Sequence, residues 1–147
     1  MTPEMPRQQD RTKFPGMRPH EAALMRAWLR LHESEYDAIS YNVRVGAPRD
    51  PGEAFPEWVR KSARDSSQLR MDAEAVKAGS ATIIELKNYA TADAVKQITM
   101  YAVAWVRDHA GAPQPRLLVV CAGAAQEALQ AAHAAGVEIE VVIYGAT

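Results

Sequence analysis

Two strand-like runs separated by a tight-turn sequence constrain the fold of this chain more than any other feature. The runs cover residues 69 to 76 and 81 to 87, and the tetrapeptide KAGS at positions 77 to 80 lies between them. Glycine and serine favour the tight turns that join neighbouring antiparallel strands. The pattern therefore predicts a β-hairpin near the middle of the chain.

The symmetry of this hairpin predicts which side chains face each other. If the loop is centred between Ala78 and Gly79, residues equally far from that centre pair, and Asp72 lies opposite Glu85. Facing Cβ atoms are about 5 Å apart, so two carboxylates placed in this way repel each other unless a positive charge lies between them. Alternation along the strand puts Lys87 on the same face as Glu85, about 6.6 Å further along. We therefore expect a charged cluster on one sheet face.

Helix and strand patterns alternate on both sides of the hairpin. The expected order is helix, strand, short helix, hairpin, helix, strand, helix, strand, which makes an α/β fold with a mixed sheet flanked by helices. Outside the hairpin we expect a helix from Pro19, a strand at 39 to 45, a short helix from Glu57, a helix at 91 to 109, a buried strand at 117 to 122, a helix at 124 to 135 and a closing strand at 137 to 143.

The first helix and the first strand each show one apolar face. In the helix the apolar residues recur with helical spacing, and in the strand they alternate with polar residues. The helical stripe is Leu24, Ala27, Trp28 and Leu31, and the strand positions are Ile39, Tyr41, Val43 and Val45. We therefore expect each of these sets to be buried on a single face of its element.

Composition restricts the class of protein further. The chain has 147 residues, of which 48% are hydrophobic and 24% charged, values typical of one globular domain. Seventeen basic and eighteen acidic residues give a net charge of -1, so binding to nucleic acid requires a local basic surface. The single cysteine, Cys121, permits no internal disulfide and is expected to be an inert core residue, and the four histidines show no metal-ligand spacing.

The N-terminal residues differ from the rest of the chain. Residues 1 to 18 contain three prolines among polar side chains and are expected to form an extended arm that packs on another chain, with residues 19 to 147 as a single domain. This predicts an oligomer or a larger assembly. The first twenty residues hold no apolar stretch long enough for a signal peptide, and no later run approaches membrane-spanning length, so we expect a protein that is cytoplasmic, or incorporated in a virion, without a membrane partner.

The expected pair of carboxylates suits a divalent cation. Mg²⁺ prefers one or two carboxylates, with the remaining positions left to water and phosphate. Mg²⁺ or Mn²⁺ between Asp72 and Glu85 would relieve their repulsion, and a phosphodiester is the natural substrate of such a site. Lys87 could then stabilise charge or orient the attacking water. Gln97 and Tyr101, one helical turn apart, could reach the same patch.

These residues resemble the PD-(D/E)XK nuclease superfamily, and its RecB-like branch in particular. The resemblance lies in Asp72, in Glu85-x-Lys87 and in Gln97-x-x-x-Tyr101, and the expected order of elements extends it over most of the chain. It implies a restriction-endonuclease-like fold. It also implies metal-dependent hydrolysis of DNA.

The resemblance also implies individual roles. Asp72 and Glu85 would be metal ligands and Lys87 the catalytic lysine, while Gln97 and Tyr101 would form the accessory motif of the following helix. A further metal ligand is implied on the first helix, where Glu21 projects from the apolar stripe and matches an acidic residue that many members contribute from there.

Each of these residues also has a non-catalytic interpretation. Glu85 and Lys87 could be an ordinary charge pair, Glu21 a solvated residue of the first helical turn, and the Gln97–Tyr101 pair a polar cap over the core. The basic side chains of the short helix, Arg60, Lys61 and Arg64, could contact phosphates or simply be solvated. Two functions therefore stay open: a metal-dependent DNA nuclease, and a structural or assembly protein, such as a bacteriophage virion component, that keeps this fold for binding.

Overall fold

The computed structural model describes Phe14 and residues 16 to 143, apart from the side chain of Ser66. Helices and strands follow one another in the order expected from the sequence. The elements are α1 (Pro19–His32), β1 (Ala38–Val45), α2 (Glu57–Ser67), β2 (Leu69–Lys77), β3 (Ser80–Ala90), α3 (Ala92–Asp108), β4 (Arg116–Ala124), α4 (Gln126–Ala135) and β5 (Glu138–Val141), with a 3₁₀ turn, Glu33–Glu35, after α1.

The five strands form one mixed sheet in the order β1-β2-β3-β4-β5. The pairs β1–β2 and β2–β3 are antiparallel, whereas β3–β4 and β4–β5 are parallel. The strand β3 therefore lies at the centre, between an antiparallel half and a parallel half. The predicted α/β fold with a mixed sheet is confirmed.

Helices cover both faces of the sheet. On one face, α1 packs its Leu24 and Trp28 against Ile84 and Val120 of the central strands. On the other face, α3 and α4 pack against the neighbouring strand positions, such as Ile83. Helix α2 has no buried residue among those that the structure describes. It stands at the margin of the fold.

The hairpin between β2 and β3 has the predicted register. Lys77 pairs with Ser80 across a two-residue loop, and the register continues without a slip as far as Ala73 opposite Ile84. Both loop residues have positive φ, 50° at Ala78 and 81° at Gly79. This is the backbone that a type I′ hairpin turn requires. The next facing positions along this register are those of Asp72 and Glu85.

The first strand does not keep one buried face, so that expectation was wrong. Ile39 and Tyr41 pack on the α1 side of the sheet, whereas Val43 and Val45 belong to the core on the α3 side. The switch occurs at Asn42, whose backbone is left-handed with φ of 53°. A left-handed residue turns the strand, and the hydrophobic alternation on either side of it then points to opposite faces.

The strand β2 switches faces at the same level. Ala73 and Ala75 pack on the α1 side, but Met71 packs on the α3 side. Asn42 and Asp72 are also the positions at which the β1–β2 pairing is interrupted. Beyond them the two-stranded ribbon leaves β3 and lies across α3. There the backbone N–H of Gly46 donates a 2.8 Å hydrogen bond to Asp108 at the end of α3.

The buried stripe of α1 also differs from the prediction at one position. Leu24, Ala27 and Trp28 are buried as expected, but Leu31 is 62% exposed. Met25 and Leu29 complete the buried surface of the helix instead. The last turn still meets the sheet through His32, whose Nε2 is 2.6 Å from Glu140 of β5, so it is only the Leu31 side of this turn that faces away.

The end of the N-terminal arm contacts its own domain. Phe14 is only 7% exposed and packs edge-on against Tyr41, with ring centroids 5.0 Å apart. Residues 1 to 13 and Pro15 lie outside the described residues, so the predicted contact of the arm with another chain stays a prediction. Cys121 is buried in β4, as expected. Within the described ranges, no helix combines the length and the apolar character needed to cross a membrane.

Candidate active site

The candidate site lies where β2 and β3 separate. Asp72 is the first residue of β2 beyond the paired region, and its side chain replaces the missing ladder contact. The backbone N–H of Leu86 donates to Asp72 Oδ2 at 2.7 Å. This hydrogen bond therefore holds the Asp72 carboxylate over β3, where the backbone of β2 no longer pairs with β3.

Glu85 is the most deeply buried acidic group of the site. It lies in the central strand, and the residue is 3% exposed. Its Oε1 is 3.8 Å from Nζ of Lys87, which confirms that the two side chains share one face. Its Oε2 is buried and has no hydrogen-bond partner among the described residues. A buried carboxylate oxygen without a partner lowers the stability of the folded state, so binding of a proton or of a cation to this atom is favoured.

Burial and mutual repulsion perturb both carboxyl groups. Burial raises the pKa of Glu85 to about 8, and the charge of Asp72 adds to the rise, whereas the Lys87 ammonium opposes it. Burial also raises the pKa of Asp72, against the effect of the Leu86 N–H. Two neighbouring carboxyl groups of this kind compete for ionisation, so the metal-free pair resists the loss of its last proton more than isolated carboxyl groups do.

The pair on α3 reaches this site. Gln97 Nε2 donates a 2.6 Å hydrogen bond to the hydroxyl oxygen of Tyr101, and Tyr101 is buried. Burial, followed by the charge of Glu85, raises the pKa of the Tyr101 phenol well above its ordinary value. The phenol therefore stays protonated and lies close enough to Glu85 for each group to influence the other.

Glu21 stands at the margin of the site. It is half-buried in the first turn of α1, and its charge contributes to the raised pKa of Asp72, so it faces that carboxyl group. However, no three acidic, histidine or cysteine side chains within the described part of the chain are arranged to hold a metal ion. The assignment of Asp72, Glu85 and Glu21 as metal ligands stays a prediction. Helical spacing predicts the face of α1 from which Glu21 projects, but it does not fix the distance between α1 and the strand that carries Asp72.

Two carboxylates still make a site that fits Mg²⁺ or Mn²⁺. The hard oxygen donors of Asp72 and Glu85 are the type that these cations prefer, and one or two carboxylates are sufficient when water and phosphate supply the other ligands. The unpartnered Oε2 of Glu85 is the structural observation that matches this requirement.

The basic residues of α2 are not free to bind phosphate as a group. Arg60 and Arg64 both contact Asp50, at 2.7 and 3.3 Å, and Arg64 also bonds to Glu57 at 2.7 Å. Lys61 is exposed and lies 3.9 Å from Asp65. Trp58 and Arg70, which line one groove with Lys61, were not among the predicted site residues. The helical spacing of Trp58 and Lys61 is the signal that could have found them.

Comparison with solved structures identifies the class of fold. One match is a protein of unknown function, AF1548, with a TM-score of 0.54 and 16% identity, covering 82% of this chain and 56% of that chain. A second is a repair endonuclease from Pyrococcus abyssi, with a TM-score of 0.53 and 14% identity, covering 88% of this chain and 50% of that chain. A third is EndoMS in a complex with dsDNA, with a TM-score of 0.54 and 13% identity, covering 89% of this chain and 48% of that chain. This chain therefore spans about half the length of those proteins. No family model and no curated protein matches the sequence.

These likenesses establish the fold. The mixed five-stranded sheet flanked by helices is the restriction-endonuclease-like architecture of the nuclease neighbours, and the fold prediction is confirmed at that level. The assignment to the RecB-like branch stays a prediction, because identities of 16% and below do not distinguish branches of a superfamily.

Proposed function

We propose that this protein is a metal-dependent DNA nuclease of the PD-(D/E)XK type. The observation that carries the proposal is the pairing of half-buried Asp72 with buried Glu85, with Oε2 of Glu85 unpartnered among the described residues and Lys87 adjacent. A structural ion pair does not need a second, repelling carboxylate with a perturbed pKa, whereas catalytic sites commonly contain one. The RecB-like assignment is part of this proposal, and it rests on Gln97 and Tyr101.

Asp72 and Glu85 would hold Mg²⁺ or Mn²⁺. When bound, such a cation polarises a phosphoryl oxygen and lowers the pKa of a coordinated water. The hydrogen bond from the Leu86 backbone orients Asp72. Glu85 must lose its proton to bind the cation, and its raised pKa makes that step depend on pH.

Lys87 contributes a positive charge that can reach the substrate. Its side chain is 39% exposed, and the contact with Glu85 keeps its ammonium group beside the carboxylates. From there it can stabilise charge that develops on the phosphate or orient the attacking water. Tyr101 and Gln97 act as positioning residues, since buried Tyr101 lies beside Glu85 and Gln97 holds the Tyr101 hydroxyl group by a hydrogen bond.

Purified protein tests the proposal directly. It should degrade DNA with Mg²⁺ or Mn²⁺ and lose that activity in EDTA. Glu85→Gln should weaken metal binding, so a higher metal concentration should partly restore cleavage. Lys87→Ala should lower the rate roughly 10²- to 10³-fold without rescue by metal, because it removes charge stabilisation rather than a ligand. Exposed Glu127 and Lys77 provide matched controls, and Glu127→Gln and Lys77→Ala should cleave as the wild type does.

A structural or assembly role, such as that of a virion component, is the second candidate. The observation that favours it is the pairing of Arg60 and Arg64 with acidic neighbours, which removes two cations that a nuclease could use to hold DNA. Equal behaviour of the wild type and the Glu85→Gln/Lys87→Ala double variant on single-stranded, double-stranded and branched DNA would refute the nuclease proposal and favour this second function.

A further inference from the structure

An open groove beside the candidate site is formed by one stripe of α2 and the start of β2. It has a volume of about 380 Å³ and is lined by Trp58, Lys61, Ser62, Asp65 and Arg70. The four residues on α2 follow the i, i+3, i+4, i+7 spacing of a single helical face. That face is turned to the groove and carries no buried side chain.

The indole of Trp58 is the unusual feature of this groove. It is 75% exposed, whereas the other two tryptophans of the chain, Trp28 and Trp105, are buried. The opposite face of α2 is held by ion pairs of Arg60 and Arg64 with Asp50. The helix is thus anchored on one side and presents a large flat aromatic ring on the other.

The groove also carries excess positive charge. Arg44 and Arg70 are directly opposite each other in the β1–β2 ladder, an arrangement that repels unless an anion lies between them. Asp65 pairs with Arg44 at 3.0 Å, but Arg70 forms no ion pair with any residue that the structure describes. With Lys61, three cations face a single carboxylate. The charge therefore favours an anionic ligand.

The groove lies close to the carboxylate site along β2. Arg70 and Asp72 are separated by one residue, so their Cα atoms are at most about 7 Å apart. A DNA strand whose phosphate lies at the carboxylates can therefore reach the groove within one or two nucleotides. In a duplex the faces of the bases are covered by their neighbours, and an indole can stack only on a base that is unpaired.

We infer that this groove binds an unpaired nucleotide of a DNA strand, with its base stacked on Trp58 and its phosphate at Arg70. The inference rests on the proposed nuclease function, because it takes DNA as the substrate of the adjacent site. It specifies the substrate class as single-stranded DNA or DNA with an unpaired segment.

Tryptophan fluorescence tests this binding without cleavage. In EDTA, an oligothymidine should quench the exposed indole, and a blunt duplex of mixed sequence at the same nucleotide concentration should not. Trp58→Ala should remove the quenching and weaken binding, measured by anisotropy of a labelled strand, roughly 5- to 150-fold, the range that one base–aromatic stack contributes. Phe55→Ala, which changes an exposed aromatic outside the groove lining, should bind as the wild type does.

Two further arms separate stacking from charge. An abasic strand keeps the phosphates but offers no base, so it should bind more weakly and leave Trp58 unquenched. Arg70→Gln should weaken binding of both strands and reduce the salt dependence, and the exposed Arg107→Gln should do neither. Equal quenching by the abasic strand, equal binding of the duplex, or unchanged binding by Trp58→Ala would each overturn the inference. So would a concentration-dependent blue shift of Trp58 without DNA, which would identify a second copy of the chain as the occupant.

The outcome is distinguishable from that of the nuclease assay. Quenching by single strands without any metal-dependent cleavage would support the groove and refute the proposed catalysis. Cleavage by a protein whose Trp58 does not respond to DNA would support the catalysis and refute the groove.

Discussion

Replacement of Glu85 by glutamine should change how the stability of the metal-free protein depends on pH. Burial raises the pKa of Glu85 to about 8, well above its ordinary value of 4.5. The folded state therefore holds its proton more tightly than the unfolded chain. The contribution of Glu85 to the free energy of unfolding is fully present below about pH 4.5 and is lost progressively as the pH rises to about 8.

The size of the effect follows from the shift in pKa. A shift of one unit corresponds to about 1.4 kcal/mol, so Glu85 should cost the folded state about 4 kcal/mol between pH 5 and pH 9. In Glu85→Gln the side chain has nearly the same shape and cannot ionise, so this loss should disappear. The variant should be less sensitive to pH than the wild type and more stable at pH 9.

Urea unfolding in EDTA between pH 5 and pH 9 gives the free energy of unfolding of the wild type and of Glu85→Gln. The difference between these two free energies, followed as a function of pH, tests the prediction. His32 must be considered because it titrates in the same range. Burial lowers its pKa, but hydrogen bonds to Glu140 and Glu35 outweigh that effect and raise it, so its contribution is also lost as pH rises. Since His32 is present in both proteins, the difference cancels it. Parallel pH profiles of the wild type and Glu85→Gln would refute the burial of an ionisable Glu85.

Two smaller predictions concern the fold around the site. Phe14→Ala should lower the free energy of unfolding by about 3 kcal/mol, since it empties a buried aromatic position, and an unchanged urea midpoint would show that the arm is not part of the core. Asn42→Ala should cost about 1 kcal/mol in the same assay, because alanine tolerates a left-handed backbone poorly, whereas Asn42→Gly should be close to neutral; equal losses in both would contradict a role of the backbone conformation.

The sequence predicted the hairpin and its carboxylate pair because both depend on local rules. A two-residue loop with glycine at its second position sets the register, and the register places Asp72 and Glu85 at facing positions. The contact between Glu85 and Lys87 follows from strand alternation alone. These features need no knowledge of the rest of the fold.

The features that the sequence did not predict depend on tertiary geometry. The apolar alternation in β1 continues on both sides of Asn42, so nothing in the pattern marks the change of face there. Asparagine tolerates a left-handed backbone but does not require it. The pairing of Arg60 with Asp50 likewise depends on the path of the loop before α2. The distance from Glu21 to the carboxylate pair depends on how far α1 lies from the sheet.

The bend and the central strand together explain why the two carboxyl groups are so strongly perturbed. Because β2 turns away at Asp72, the hydrogen-bond ladder between β2 and β3 opens there. The Asp72 carboxylate then accepts the hydrogen bond from the Leu86 N–H in place of a backbone carbonyl of β2. Because β3 lies between β2 and β4 and is covered by helices, Glu85 stays buried even though its neighbouring strand has left. The opening between β2 and β3 thus leaves room for a ligand beside Glu85, while the central position of β3 keeps the Glu85 carboxyl group away from water. A proton held by the pair would offset the repulsion in the metal-free protein, and under the proposed function a cation replaces that proton.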